Sequence, residues 1–407
     1  MTDRPISFID NDVLKCPFAA YKTLRDEQPV YLDPTTGMYV ITRYEDLKAI
    51  ARDTALFSNM TNQFSNREST VKPQIDALYR EHDLEPVPAM VDNDPPQHTA
   101  IRKLVDYAFR VSRINALQSY IEALCNELVD KFIARGEVEI VDELAIPLPV
   151  IVIADQLGIE RERIKDFKRW SDALIFSADV SISPEQLLEA NRTVLEMRLY
   201  LAQKVEEMRR NPRDNITSEL AQAQLDGKPL EMKLIVSVIS GLLVAGNETT
   251  TATIALGTQY LIESGLEDTL RANPDKIPAF VEECLRMATP LQAQFRRATA
   301  ETEIQGVKIP KDAILMMRYA AGNRDERRFE CPEDIRLDRS GGNQHLAFGF
   351  GTHFCVGNAL ARAELRTVFT VMLQRMKNLR LAGEPELIIH SFARGLAKLP
   401  VRFERID

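Results

Sequence analysis

One cysteine near the C-terminal end of the chain lies in a loop that could hold it as a reactive thiolate. Residues 348–357 read Phe-Gly-Phe-Gly-Thr-His-Phe-Cys-Val-Gly, which places Cys355 just before a helical run at 358–365. The glycines permit a tight turn, and the positive end of a helix dipole favours a thiolate over a thiol. A buried structural cysteine is one alternative, because most lone cysteines are simply packed. A zinc site using His353 and Cys355 is another, although no second Cys/His cluster appears at ligand spacing.

An acid and a hydroxyl interrupt the most apolar helical stretch of the chain. Residues 245–250 read Ala-Gly-Asn-Glu-Thr-Thr and fall in the middle of a long predicted helix, 231–263. A glycine inside a helix costs ~1 kcal/mol relative to alanine, and a buried acid costs more unless it is paired. Such a loss of stability in a core helix favours a functional role. The alternative is a helix-packing groove with Glu248 in a structural salt bridge.

The cysteine loop resembles that of a known family. It matches the haem-binding signature of the cytochromes P450, Phe-Gly-x-Gly-x-His/Arg-x-Cys-x-Gly, at every fixed position. The resemblance implies that Cys355 is the thiolate ligand of the iron of haem b, and that Phe348, Gly349 and Gly357 belong to the cofactor-binding loop. A thiolate ligand pushes electron density toward the iron and favours O–O cleavage.

The interrupted helix resembles the oxygen-binding groove of the same family, Ala/Gly-Gly-x-Asp/Glu-Thr. By that likeness Ala245 and Gly246 lie against the haem. Glu248 and Thr249 would be the acid and the alcohol that relay protons to dioxygen, which is general acid–base work. The position of this motif on the long apolar helix agrees with the likeness.

A further charged pair precedes the cysteine loop. Glu283 and Arg286 are three residues apart, so they share one helix face and can pair. Alone, such a pair is usually a solvated surface contact. It resembles the Glu-x-x-Arg motif of the family, which implies a structural ion pair behind the haem. Residues 323–339 resemble the family's following loop, but Asp334-Ile335 stands where many relatives have an arginine before an aromatic residue, so the third partner of the pair is not assigned.

Four side chains are candidates for holding the haem propionates. Two carboxylates need cationic partners, and arginine supplies bidentate ones. His98 and Arg102, four residues apart and hence on one helix face, resemble the family's His-x-x-x-Arg pair. The likeness also indicates Arg296, with Arg297 as its close rival, and His353.

The substrate pocket is expected to be apolar, because the reaction must be kept dry and the pocket selects apolar groups. The resemblance gives eight candidate lining residues, each of which core packing explains equally well: Val87, Met90, Leu242, Leu243, Leu291, Ala293, Phe295 and Phe392.

The elements that position these residues are mainly helical, with small β-sheets. The helix at 231–263 would span ~45–50 Å and is apolar enough to lie in the core. Helical spacing also covers 114–135 and 183–210, where Ser183 can cap the helix and Pro184 can occupy its first position. The resemblance implies the P450 fold, with haem between the long helix and the cysteine loop.

The remaining segments include two short hairpins and one irregular region. Alternating residues at 30–32 and 38–42 predict one hairpin. Residues 303–310 predict a second, with its turn near Gly306. Residues 60–95 contain several prolines and little periodicity, so we expect an irregular loop. The even composition predicts a single domain over residues 1–407, with a small β-rich portion near the N-terminus.

Composition limits the class of protein. The chain has 407 residues, 45% of them hydrophobic, a formal net charge of -9 and five cysteines. A negative balance argues against nucleic acid as a partner. An odd number of scattered cysteines fits a reducing cytoplasm better than a disulfide scaffold. We find neither a signal peptide nor a membrane anchor.

Together these patterns predict a monomeric cytochrome P450 monooxygenase that acts on a small apolar substrate by hydroxylation or oxidative dealkylation. Electrons would come from NAD(P)H through a reductase and a ferredoxin, and four arginines could form the docking patch: Arg110, Arg113, Arg362 and Arg366. A solvated helix face explains these arginines equally well. A peroxide-driven haem-thiolate enzyme and a non-catalytic haem-thiolate sensor are alternatives, although neither needs Glu248 and Thr249.

Overall fold

A computed structural model describes residues 5–61, 69–179 and 182–406. The chain divides into two compact units, each made of separate stretches of sequence. The first unit comprises Met1–Ser58, Ile114–Leu148 and Thr249–Asp407, and the second comprises Asn59–Arg113 and Pro149–Glu248. The prediction of a single domain therefore stays a prediction.

The described ranges are mainly helical, as predicted. The helices are α1 (Asn11–Lys15), α2 (Phe18–Glu27), α3 (Tyr44–Arg52), α4 (Lys72–Arg80), α5 (Gln97–Ala108), α6 (Val111–Ala116), α7 (Gln118–Asp130), α8 (Pro147–Leu157), α9 (Ile164–Ser177), α10 (Pro184–Arg210), α11 (Ile216–Gln222), α12 (Met232–Ser264), α13 (Glu267–Ala272), α14 (Ile277–Ala288), α15 (Tyr319–Gly322) and α16 (Asn358–Arg375).

The strands are short and form small sheets. They are β1 (Val30–Leu32), β2 (Tyr39–Ile41), β3 (Phe57–Ser58), β4 (Glu137–Glu139), β5 (Gln224–Leu225), β6 (Lys228–Pro229), β7 (Gln294–Ala298), β8 (Thr302–Ile304), β9 (Val307–Ile309), β10 (Ile314–Met317), β11 (Met376–Leu381), β12 (Glu386–Ile389), β13 (Arg394–Lys398) and β14 (Pro400–Arg405).

The largest sheet lies in the first unit and has the strand order β1-β2-β10-β7-β3. Only the β2–β10 pair is parallel. One face of this sheet packs on helix α3 through a buried cluster that includes Ile41, Leu47 and Met317. Burial of such apolar side chains is the main stabilising contribution to the unit. The sheet fixes β7, which carries Arg296 and Phe295.

Both predicted hairpins are confirmed. Val30 pairs with Ile41 across β1 and β2. The second hairpin pairs β8 with β9 and turns at Gln305 and Gly306, both with positive φ. This is the backbone conformation that a tight two-residue hairpin turn requires, and glycine adopts it without strain.

The two long helices are also confirmed. Helix α10 begins after Ser183, whose side chain accepts a hydrogen bond from the Gln186 N–H in a capping box. Helix α12 has 33 residues and runs through the middle of the sequence. Of the helices in the described ranges, only α12 is long and apolar enough to cross a membrane. This is weak evidence, since 61% of its most apolar window is buried, as in the core helix of a soluble protein.

Two predictions about helices were wrong in part. The stretch 114–135 is not one helix: α6 ends at Ala116, α7 runs from Gln118 to Asp130, and a 3-10 turn follows at Ile133–Arg135. The irregular region 60–95 contains α4, because Pro73 occupies the first turn of that helix, where its missing N–H costs nothing. The part of this prediction that covers 62–68 lies outside the described residues.

Candidate active site

The Cys355 loop is shaped by two glycines in the first unit. Gly349 and Gly351 have φ values of +69° and +72°, a backbone conformation that other residues rarely adopt. A side chain at Gly351 would also collide with the chain, since its Cβ would lie 2.5 Å from the Ala51 carbonyl oxygen. The Cys355 N–H donates to the Phe348 carbonyl at 2.9 Å and closes the loop. The sequence signature therefore corresponds to a specific, tightly constrained backbone.

Helix α16 begins three residues after the cysteine. Gly357 is its N-cap residue, and Asn358, its first residue, donates from its side-chain amide to the Cys355 carbonyl at 2.7 Å. Cys355 itself is only partly buried. Its position before the positive end of an 18-residue helix favours the thiolate form.

Glu283 and Arg286 form a fully buried ion pair on α14. Their side chains are 1% and 0% exposed, and the guanidinium donates to both carboxylate oxygens, at 2.7 and 2.9 Å. Arg286 also donates to three backbone carbonyls, those of Asn323, Pro332 and Asp334. The pair therefore ties the following loop to α14, unlike the surface pairs that such a spacing usually gives.

Arg339 is the third member of this cluster, which the sequence left unassigned. Its Nε donates to Glu283 at 2.9 Å, and the backbone N–H of Arg336 donates to the other carboxylate oxygen at 3.0 Å. Burial raises the pKa of Glu283, but the hydrogen bonds and charge of Arg286 outweigh it, so the pKa lies below its ordinary value. Arg339 belongs to the segment that resembles the family's loop, but Ser340, not an aromatic residue, follows it, so the pattern of an arginine before an aromatic did not indicate it as the third partner.

One face of helix α12 is open although the residues beside it are buried. Gly241 and Ala245 are exposed, and Thr249 is half-buried. These positions are four residues apart and so lie on one helix face. A Cβ built at Gly241 would meet nothing within 4 Å, whereas one at Gly246 would lie 3.2 Å from the Ile153 side chain. The small residues on this face thus leave room for a flat group. Gly246 instead allows α12 to pack closely against the Ile153 side chain.

Glu248 has polar partners within the second unit. Lys168 of α9 places its Nζ 3.5 Å from the Glu248 carboxylate and also pairs with Asp172. The Asn247 side-chain amide donates to the same Glu248 oxygen at 3.2 Å. Burial raises the pKa of Glu248, and the opposing charge of Lys168 only partly offsets this effect. Glu248 therefore does form a salt bridge, as the structural alternative predicted. Even so, its carboxyl group retains a proton more easily than an exposed glutamate. No sequence pattern indicated Lys168.

The threonines that follow hydrogen bond to the backbone. The Thr253 hydroxyl donates to the Thr249 carbonyl at 2.8 Å, and the Thr251 hydroxyl donates to the Ala145 carbonyl at 2.9 Å. Such bonds can bend a helix or loosen its regular hydrogen bonding. Thr250 is buried and contacts Glu364 of α16. Only Thr249 among 249–251 retains substantial exposure.

Among the propionate candidates, Arg296 has the surroundings that best suit an anionic ligand. It is 3% exposed, and its Nη1 donates to its own neighbour's carbonyl, that of Phe295, at 2.7 Å. No ion pair involving Arg296 occurs within the described residues. A buried guanidinium without a carboxylate partner is costly, so an anionic ligand would suit it. Its rival Arg297 instead pairs with Asp312 at 2.9 Å and is partly exposed.

The other propionate candidates lie in different parts of the chain. His98 and Arg102 share α5 in the second unit, where His98 is 1% exposed and Arg102 pairs with Asp106 at 2.7 Å. Burial and then the charge of Arg102 lower the pKa of His98, which favours its neutral form. His353 lies in the 3-10 turn of the Cys355 loop in the first unit.

The eight pocket candidates fall into two groups by burial. Three of them are partly exposed: Val87, Met90 and Leu291. Five are buried: Leu242, Leu243, Ala293, Phe295 and Phe392. Phe295 and Phe392 pack edge to face at 6.1 Å, both within the first unit. Leu243 is 0% exposed and by helical spacing points away from the open face of α12, as expected of core packing.

The docking arginines differ in how far they are neutralised. Arg113 pairs with Glu219 at 2.6 Å, and Arg362 pairs with Glu282 at 2.7 Å. Arg110 lies over the exposed Tyr107 ring, and the side chain of Arg366 is 47% exposed. Two of the four cations are therefore held in internal ion pairs.

Across the described ranges no group of three or more His, Cys, Asp or Glu side chains could hold a metal ion. The zinc alternative thus finds no ligand set there, since zinc needs three or four such donors. A haem iron, in contrast, can be held by a single cysteine ligand from the protein.

Comparison with known proteins gives a consistent result. The family model described as "Cytochrome P450" matches residues 276–404. The chain is 35% identical over 395 residues to cytochrome P450 107B1 of Saccharopolyspora erythraea, covering 94% of each chain. It is 33% identical over 389 residues to the steroid C26-monooxygenase of Mycobacterium tuberculosis, covering 95% of this chain and 93% of the relative. The solved structure of cytochrome P450 CYP109Q5 from Chondromyces apiculatus matches with a TM-score of 0.87 and 32% identity over 98% of both chains.

Proposed function

This chain belongs to the cytochrome P450 family of monooxygenases, and from that premise we propose that it inserts one oxygen atom of dioxygen into a C–H bond of an apolar small molecule. The reaction would be a hydroxylation or an oxidative dealkylation. The observation that carries this proposal is the Cys355 loop, whose glycines, closing hydrogen bond and following helix suit a thiolate ligand. When bound there, haem b supplies the activation of dioxygen and the oxidising power.

The chain offers suitable contacts for haem in addition to Cys355. Phe348, Gly349 and Gly357 form the ligand loop, and Ala245 and Gly246 supply small residues beside the open face of α12. Arg296, with its buried and uncompensated charge, suits a propionate. His98, Arg102 and His353 would complete the propionate contacts by donating hydrogen bonds.

We propose that Glu248 and Thr249 would relay the protons that the reaction of dioxygen consumes. Burial raises the pKa of Glu248, so this carboxyl holds a proton more readily than an exposed glutamate does, as a proton donor requires. Thr249 is adjacent and keeps partial exposure, so its hydroxyl can order a water or the dioxygen. Lys168 would hold the Glu248 carboxylate in place between transfers.

Electrons are proposed to come from NAD(P)H through a reductase and a ferredoxin. Arg110 and Arg366 are the more exposed of the four candidate docking arginines and would attract an acidic partner. The odd number and wide scatter of the five cysteines support a reducing, cytoplasmic setting. Steroids are a sensible first substrate class to test, because one relative is named as a steroid monooxygenase.

The experiment that tests the haem-thiolate assignment is the ferrous–carbon monoxide difference spectrum. We expect the red-shifted Soret band of thiolate ligation, and its loss in Cys355→Ala. Cys16→Ala is the matched control, since Cys16 is exposed and should leave the band unchanged. A folded wild-type protein without haem, or with a histidine-type band, would overturn the proposal.

The two alternatives are separated by the acid–alcohol pair. A monooxygenase should lose coupling of electron use to product when Thr249 is replaced by alanine, whereas a sensor has no such coupling to lose. A peroxide-driven enzyme should turn over with hydrogen peroxide at the rate seen with the ferredoxin system. Unchanged coupling in Thr249→Ala would count against the proposed proton relay.

A further inference from the structure

A single carboxylate on α14 is linked through two side chains to both ends of the Cys355 loop. Glu282 accepts two hydrogen bonds from Arg362, from Nε at 2.7 Å and from Nη2 at 2.9 Å. It also lies 3.1 Å from His345 Nε2. These side chains come from α14, α16 and the segment before the loop, and all lie in the first unit. Glu282 is adjacent to Glu283 but belongs to a separate set of contacts.

The arm through His345 reaches the beginning of the loop. His345 Nδ1 accepts the Ala347 backbone N–H at 3.2 Å, so its other nitrogen carries the proton and donates to Glu282. The imidazole side chain is 0% exposed. Burial lowers the pKa of His345, which keeps the ring neutral. This arm therefore fixes the backbone one residue before Phe348 without adding charge.

The arm through Arg362 reaches the end of the loop. Arg362 Nη1 donates to the Asn358 side-chain oxygen at 2.9 Å, and the Asn358 amide donates to the Cys355 carbonyl at 2.7 Å. The Arg362 guanidinium also lies over the Phe348 ring, 4.5 Å from its centre. This arm fixes the backbone of the proposed iron ligand and brings a cation close to it.

The charges of the two central groups cancel. Burial raises the pKa of Glu282, but the hydrogen bonds from His345 and Arg362 outweigh it and bring the pKa to about 2, so the carboxylate is ionised at neutral pH. Its side chain is 11% exposed and that of Arg362 is 17% exposed. A second cation, Arg366, is 3.9 Å away but half-exposed and therefore screened by solvent.

We propose that Glu282 is a positioning residue that holds both ends of the ligand loop through His345 and Arg362, and that the balanced Glu282–Arg362 pair sets the electrostatic potential at Cys355. The proposal rests on the proposed haem-thiolate function. It assigns Arg362 an internal role instead of a place in the docking patch. A purely structural ion pair would not predict opposite effects of its two members on the haem reduction potential. Here the loss of the negative charge should raise that potential, and the loss of the positive charge should lower it.

The test is the haem reduction potential of three variants, Glu282→Gln, Arg362→Gln and the double variant. Glu282→Gln leaves an uncompensated cation, which favours the added electron, so the potential should rise. Arg362→Gln leaves an uncompensated anion, so the potential should fall. One unit charge at a protein-like dielectric should change the reduction equilibrium by roughly tenfold, about 59 mV for one electron. The double variant should return close to the wild-type value.

Glu267→Gln is the matched control. Glu267 also accepts from an arginine, Arg271, and from backbone N–H groups of β11, but none of its contacts involves the ligand loop. The haem reduction potential of Glu267→Gln should equal that of the wild type. Shifts of the same sign in both single variants, or no shift in either, would overturn the proposal. A wild-type protein without a thiolate-type Soret band would instead overturn the proposed function.

A second measurement covers the case in which Glu282→Gln fails to retain haem. Asn358→Ala breaks only the arm to Cys355, and His345→Gln keeps a donor toward Glu282 while removing the acceptor for Ala347. Both should lose haem to an apoprotein acceptor severalfold faster than the wild type. Rates equal to those of the wild type and of Glu267→Gln would overturn the proposal.

Discussion

Glu283 and Arg339 are 56 positions apart in the chain, yet the Arg339 Nε atom donates to the Glu283 carboxylate at 2.9 Å. The Arg339 side chain is 6% exposed, and the same guanidinium donates to the carbonyls of Glu330, Cys331 and Asp334. One side chain thus joins helix α14 to the loop that leads toward Cys355.

Replacement of Arg339 by glutamine should destabilise the protein. Breaking one side of a buried ion pair costs about 3–5 kcal/mol, because it leaves charge and carbonyl groups without partners, although Arg286 would still compensate Glu283. We expect a loss of about 3 kcal/mol in the free energy of unfolding by urea. Arg336→Gln is the control, since the Arg336 side chain makes only surface ion pairs and its backbone N–H is kept, and a similar loss in both variants would contradict this prediction.

Glu364 should make stability depend on pH. It is fully buried on α16, contacts Thr250, and burial raises its pKa to about 8 from an ordinary value of 4.5. The folded state therefore holds a proton that the unfolded state releases, so the stability contributed by the neutral form is lost as pH rises from 4.5 through about 8.

Glu364→Gln should remove this loss, because an amide cannot ionise. Urea titrations at pH 5 and pH 9 should show the variant gaining on the wild type at the higher pH, by no more than about 5 kcal/mol. Glu267→Gln serves again as the control. Parallel pH profiles for wild type and Glu364→Gln would show that Glu364 does not titrate in this range.

Arg198 should hold the segment after α4 in place. This buried residue of α10 donates to the carbonyls of Leu84 and Glu85, at 2.8 and 3.1 Å, and to the Ser237 hydroxyl at 3.2 Å. Burial lowers its pKa to about 10. Ser237 in turn accepts the Val87 N–H at 3.3 Å, so one guanidinium fixes the segment that carries a predicted pocket residue.

Arg198→Met should therefore loosen the segment 84–87, whose exchangeable amides are those of Leu84, Glu85 and Val87. Hydrogen exchange there should accelerate, and the free energy of unfolding should fall by about 2–3 kcal/mol, since carbonyl groups lose their donors. Arg192→Met on the same helix is the control, because Arg192 is exposed and makes only a surface pair. Unchanged exchange at 84–87 would mean that backbone packing alone holds the segment.

Gly351→Ala should abolish haem incorporation. The added methyl group would meet the Ala51 carbonyl oxygen at 2.5 Å, and the φ of +72° is unfavourable for alanine. Gly227→Ala separates these effects, because Gly227 has φ +75° but nothing within 4 Å of the new atom. Full haem content in purified Gly351→Ala would show that the loop can move aside.

The sequence predicted those features that short segments encode. The Ser183 cap and the hairpin turn at Gly306 depend on residues within a few positions, so their spacing identifies them. The Cys355 loop is equally local, but its role as an iron-ligand loop followed from the resemblance to the family and not from spacing. The pairing of Arg339 with Glu283 and of Arg362 with Glu282 depends on how distant segments pack. The spacing of residues along the sequence does not contain that information. The sequence therefore did not indicate Arg339 as the partner of Glu283, or that Arg113 and Arg362 are held in ion pairs.

The errors in secondary structure have a similar origin. Prolines at 60–95 suggested an irregular chain, but Pro73 lies in the first turn of α4, where it is compatible with a helix. The apolar spacing of 114–135 continues across Leu117, although α6 ends at Ala116 and α7 begins at Gln118. Hydrophobic spacing reports which faces are buried and does not report where a helix breaks.

Three backbone hydrogen bonds hold the Cys355 loop in shape: Gly349 N–H to the Leu346 carbonyl, Phe354 N–H to the Gly351 carbonyl, and Cys355 N–H to the Phe348 carbonyl. The loop can therefore take its shape as the polypeptide folds. The entropy of ordering these residues is then lost when the chain folds and not when haem binds. Because the loop is preorganised, haem insertion should be rapid and haem should be retained for long times.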